Sequence, residues 1–84
     1  MANKVIKSEI ELYVIQKVRE MRTRAGISQA ALAMKMDISI GFIGHVENPH
    51  HRAKYNLNHL NKLAVIFNCQ FQDFFPSSPF ISSE

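Results

Sequence analysis

An all-α domain of five short helices is the fold that this chain of 84 residues predicts. Three observations carry the prediction. Apolar residues recur at helical intervals of three and four along most of the chain. Residues that start and stop helices flank those runs at matching places. Apolar residues make up 46% of the chain and glycine occurs only three times, a composition that favours one compact domain over disorder. The length lies near the lower limit for a single hydrophobic core, so no second domain is expected.

The first helix starts at Ser8, whose spacing to Glu11 is that of a capping box. Ile10, Val14, Val18 and Met21, with Ala25, form one apolar stripe, and Gly26 is placed to end the helix in a left-handed conformation. Before Ser8, Val5 and Ile6 could extend the helix backwards or pack as an arm. The second helix runs from Gln29 to Met36 with Ser28 as N-cap. Ser39 caps the third, which extends to Glu47 and is stopped by Asn48-Pro49. After a polar, basic loop from His50 to Asn56, the fourth helix places Leu57, Leu60, Leu63, Ala64 and Phe67 on one side, with Asn68 in its last turn. Phe71, Phe74 and Phe75 suit a short fifth helix that closes the core. This divides the chain into an N-terminal arm (1–7), a helical domain (8–75) and a serine- and proline-containing C-terminal tail (76–84), in which Phe80 and Ile81 could still dock.

The second and third helices are joined only by Met36-Asp37-Ile38-Ser39. That link is too short for a loop, and Asp37 and Ser39 make it too polar to continue the buried stripe. Leu32, Ala33 and Met36 share one face before it; Ile43 and Val46 share one face after it. Two short helices in a tight turn, with the small Ala33 where they touch, describe a helix-turn-helix. The chain carries a net charge of +3, and its surplus surrounds this motif: from Lys17 to Lys54, seven basic residues stand against three acids. A phosphate-facing surface requires such a surplus, although ordinary solvated charge produces the same count.

With these residues in place, the sequence resembles the Cro/repressor-type (XRE-like) helix-turn-helix family of phage and bacterial regulators. The similarity spans residues 18 to 75. It rests on Arg22 and the run Gly26-Ile27-Ser28-Gln29 with Leu32-Ala33, on Ile38-Ser39, Ile43 and Val46-Glu47-Asn48, and on Leu63-Ala64 with Phe67-Asn68. The resemblance implies a five-helix repressor-like domain whose third helix enters the major groove of double-stranded DNA, usually as a homodimer on a near-palindromic site. It also implies an ion pair between Arg22 and Glu47 that ties the first helix to the end of the third. Two departures stand out. Asp37 occupies a turn position where relatives usually carry glycine, and aspartate is among the better substitutes there. The outward face of the third helix holds Ile40, Gly41, Gly44 and His45, where relatives usually place Gln, Arg, Asn or Ser. Each exposed helical glycine costs about 1 kcal/mol relative to alanine, so a close approach to DNA or to a protein partner is expected to account for the pair.

The expected DNA-binding residues follow. Ser28 and Gln29 open the second helix, whose amide end favours a phosphate; Ser28 is expected to cap in any case. Ser39, Ile40, Gly41 and His45 are the base-facing candidates, Ile40 for a thymine methyl and His45 for a guanine acceptor or a phosphate. The alternatives are partial burial for Ile40 and simple solvation for His45. Asn48, Arg52 and Lys54 are candidate phosphate clamps in or beside a loop longer than that of the phage repressors. Without Arg, Asn or Gln on the third helix, sequence preference should lean on DNA shape, methyl contacts and phosphate positioning.

Other classes fare less well. His45, His50, His51 and His59 lie close in sequence, but no carboxylate or cysteine completes a ligand set at a known spacing, so no metal and no cofactor is expected. No paired carboxylates, nucleophile motif or glycine-rich phosphate loop suggests an enzyme. The lone Cys69 gives no internal disulfide, and charged residues interrupt every apolar run near the N-terminus, so a cytoplasmic protein without a membrane span is expected. The serious alternative is a protein-interaction module on the same fold, such as an antitoxin whose terminal segments wrap a toxin.

Overall fold

A computed structural model of the chain describes residues 6–81. It contains four α-helices, α1 (Glu9–Arg24), α2 (Gln29–Met36), α3 (Ile40–Glu47) and α4 (Leu57–Phe67), followed by one 3₁₀ turn, Phe71–Phe74. The architecture is all-helical among the described residues, but the expected fifth helix is only this single turn. Asn68 leaves α4 with φ 51°, and Phe75, held before Pro76, is extended at φ −116° and ψ 153°. Of the six residues between them only Phe71–Phe74 are helical, and the amide of Asp73 donates to the carbonyl of Gln70 at 3.0 Å, an i→i+3 bond.

The helix starts are local. Ser8 and Glu11 form a reciprocal capping box on α1, and Ser28 accepts from the amide of Ala31 at 3.0 Å on α2. Ser39 occupies the N-cap position of α3 with an extended backbone, yet its side chain makes no capping bond. α4 starts with a box that the sequence reading missed: Asn56 caps the amide of His59, and Nδ1 of His59 accepts from the amide of Asn56 at 3.0 Å.

Three helices end in the same way. Gly26 (φ 73°), Asp37 (φ 58°) and Asn68 (φ 51°) adopt left-handed conformations. In each case the next amide returns to the helix: Ile27 to Arg22, Ile38 to Ala33 and Cys69 to Ala64, at 3.0–3.1 Å. These are Schellman endings, in which backbone amides just past the helix satisfy carbonyls of its last turn. Asp37 thus takes the conformation that the tight turn demands.

Val14 and Val18 of α1, Leu32, Ala33 and Met36 of α2, Ile43 of α3, Leu60 and Leu63 of α4, and Phe74 form one core. Several expected core positions lie elsewhere. Leu57, at the first residue of α4, is 81% exposed, and Ile10 and Ala25 are also exposed, while Ile15 is buried. Only Phe74 of the three terminal phenylalanines closes the core; Phe71 and Phe75 are exposed. Of the expected arm (1–7), Lys7 is buried and Ile6 is exposed, whereas Val5 and the residues before it lie outside the described residues. Phe80, from the tail, meets the Tyr13 ring edge-on with centroids 6.0 Å apart.

Candidate nucleic-acid interface

The packing of α2 on α3 sets the geometry of the candidate interface. Leu32, Ala33, Met36, Ile43 and Val46 face inward, so the opposite side of α3 is left outside. Ile40 is 61% exposed, and Gly41 and His45 are exposed with it. A Cβ at Gly41 would meet nothing within 4 Å. Nothing in the fold itself requires glycine there.

Gly44 is different. A Cβ at this position would lie 3.2 Å from Oε1 of Gln29. The Gln29 side chain passes over Gly44, and its Nε2 donates to Oε1 of Glu47 at 2.9 Å. At Gly44, unlike Gly41, an added methyl would crowd an internal side chain, so a contact within the fold also bears on this glycine. Gln29 likewise has an internal role, joining the first residue of α2 to the last of α3.

Glu47 is the hub of this end of the motif. Nε and Nη2 of Arg22 donate to its two carboxylate oxygens, each at 2.9 Å, and Nη1 of Arg22 donates to the carbonyl of Ile27 at 2.8 Å. The side chains of Arg22 and Glu47 are only 10% and 4% exposed. Three donors meet this buried carboxylate, and the two-pronged guanidinium fixes its orientation. The Tyr55 hydroxyl is buried without a hydrogen-bond partner among the described residues. Burial first, and then the Glu47 charge, raise the pKa of its phenol, with Arg22 opposing.

Beyond α3, Asn48 turns the chain. Its Oδ1 accepts from the amide of His50 at 2.9 Å, and its carbonyl accepts from the amide of His51 at 3.0 Å. His51 folds back to stack on His45, with parallel rings 4.2 Å apart, while its Nδ1 accepts from the amide of Ala53 at 3.0 Å. Desolvation first, followed by His45, Lys7 and Arg52, lowers the pKa of His51. Arg52 is exposed and has no ion-pair partner among the described residues. Lys54 is drawn away to α1, where its Nζ lies 2.9 Å from Glu11. The two basic clamps expected from the loop are therefore not equivalent.

Residues 17–76 match the family model of the Cro/C1-type HTH DNA-binding domain, which is more than half of the chain. The protein belongs to this family. Among solved structures, the Cro/C1-type chain is similar to the restriction-modification controller protein C.AhdI from Aeromonas hydrophila, with a TM-score of 0.64 at 29% identity over 76% of this chain and 96% of that one. A hypothetical transcription factor NHTF from Neisseria aligns with a TM-score of 0.68 over 90% of this chain and 86% of that one; at 18% identity this likeness concerns the fold. No protein of curated function is detectably similar by sequence. Among the described residues, no group of three or more His, Cys, Asp or Glu could hold a metal, and no helix is long and apolar enough to cross a membrane.

Two lysines hold the motif from outside it, and sequence reasoning missed both. Lys62 of α4 donates to the carbonyl of Met36 at 2.7 Å, at the end of α2. Lys7 donates to the carbonyls of Val46 and Asn48, at the end of α3. Each places a cation at the negative end of a helix dipole. No sequence pattern marks these ties, because each joins residues at least 26 positions apart.

Proposed function

We propose that this protein is a transcriptional regulator that binds double-stranded DNA sequence-specifically as a homodimer, most simply as a repressor, with α3 in the major groove. The observation that carries the reading is the outward face of α3. Ile40, Gly41 and His45 are exposed together beside the N-terminus of α2, with no internal partner that explains Gly41. In this reading Ser28 and Gln29 approach one phosphate, Ser39, Ile40, Gly41 and His45 face base edges, and Asn48 and Arg52 flank the backbone. Lys54 contributes only after leaving Glu11. The likeness to a restriction-modification controller supports a role in controlling transcription.

Selection of random duplex DNA by the purified protein, followed by sequencing of the retained fraction, tests this. The expected result is a two-fold symmetric motif with half-sites about 34 Å apart, one helical turn. A single half-site would keep the DNA function and remove the dimer. No enrichment by well-folded protein at moderate salt would overturn the reading and favour a protein partner on the same face.

A further inference from the structure

α3 ends unlike its neighbours. Gly26, Asp37 and Asn68 close α1, α2 and α4 by left-handed turns that return backbone amides to the last carbonyls. Pro49 denies α3 this ending. It holds Asn48 extended at φ −85° and ψ 114°, and the cap contributes only one bond, from its amide to the carbonyl of His45 at 3.2 Å. The carbonyl of Val46 is left without a local donor, and that of Asn48 has one, the amide of His51, so both can take donors from another part of the chain.

Lys7 supplies them. Its Nζ lies 2.6 Å from the Val46 oxygen and 2.7 Å from the Asn48 oxygen, and the residue is only 5% exposed. Desolvation first, and Lys54 second, lower its pKa, while Glu11 opposes them. A buried ammonium is costly unless well partnered, so its two short bonds also fix the carbonyls they reach. Those carbonyls sit at a junction. Val46 is adjacent to His45, whose ring carries the stack with His51, and Asn48 starts the turn that leads to Arg52.

We propose that Lys7 is a positioning residue for DNA recognition: by tying the segment before α1 to the last turn of α3, it sets how the recognition helix and the loop after it meet the groove. The inference rests on the reading of α3 as the recognition helix.

Lys7→Met keeps the aliphatic stem and removes the ammonium; Lys7→Arg keeps a cation. Affinities for the selected duplex and a scrambled duplex are measured across a salt series, at a temperature where circular dichroism shows all variants folded. Amide exchange is followed in the DNA-free proteins. The expected result for Lys7→Met is a loss of about tenfold or more on the selected duplex, little change on the scrambled one, an unchanged salt slope, and faster exchange in the last turn of α3. Partial rescue by Lys7→Arg is expected. A salt slope shallower by about 0.9 would overturn the proposal by making Lys7 a direct phosphate contact. Equal losses on both duplexes, or no change on either, would also overturn it. A wild-type protein that selects no duplex would instead bring down the DNA reading, and this role with it.

Discussion

At the scale of single residues, Glu47 carries more of the motif than its position in the sequence suggests. It accepts from Arg22 twice and from Gln29 once while nearly excluded from water. Glu47→Ala strands a buried guanidinium, and such a loss costs about 3–5 kcal/mol. Urea unfolding should show a lower midpoint with little change in slope; an unaltered melting temperature would contradict the assignment. The two glycines of α3 then separate by magnitude. Alanine at Gly41 points into open space, so the fold should gain stability, by less than about 1 kcal/mol because the site lies in the first turn. Under the proposed function the same variant should bind its operator more weakly, a divergence that melting and binding assays on one sample would expose. Alanine at Gly44 must move the tip of Gln29 by a few tenths of an ångström and strain a hydrogen bond worth about 1 kcal/mol, which offsets part of the helical gain. Its stability should stay near that of the wild type.

At the scale of elements, the ends decide which helices stand alone. α1, α2 and α4 are closed by their own left-handed residues, but the motif helices α2 and α3 also receive Lys62 and Lys7 from other segments. Lys62→Met should destabilise by about 1 kcal/mol, less than a buried charged bond, because its site is partly solvated. The start of α4 gives a pH dependence. Nδ1 of His59 accepts from the amide of Asn56, and the ring packs on Phe42 and Tyr55. Desolvation first, and Lys62 second, hold its pKa below the ordinary 6.5. The unfolded chain therefore takes up this proton first. The stabilisation is complete above the unfolded pKa and is lost as pH falls through the folded value. Melting temperatures should drop between about pH 7.5 and about pH 5, the range where histidines titrate. His59→Gln, which retains an acceptor, should flatten the drop. His51 adds to it in the same direction, since its Nδ1 is also an acceptor.

At the scale of the whole molecule, the basic surplus around the motif matters only where it remains free to meet a phosphate. Arg52 is exposed and unpaired among the described residues, whereas Lys54 already neutralises Glu11. On duplex DNA, Arg52→Gln should make the log–log salt slope shallower by about 0.9, while Lys54→Gln should change it much less. Equal effects of the two would show that the Glu11 contact opens on binding. The sequence by itself determined what neighbours in the chain can decide. Ser8, Ser28, Gly26, Asn68 and the Asn48-Pro49 stop placed the helix boundaries, and Leu32, Ala33, Met36, Ile43 and Val46 placed the motif, because capping and helical periodicity act within a few residues. Tertiary structure alone decided the rest. The exposure of Leu57, the burial of Ile15, the capture of Lys54 by Glu11 and the reach of Lys7 to α3 all depend on which segments meet across the fold. Charge counts treat lysines alike, but a carbonyl left bare by a proline 42 positions away gives one of them a particular place.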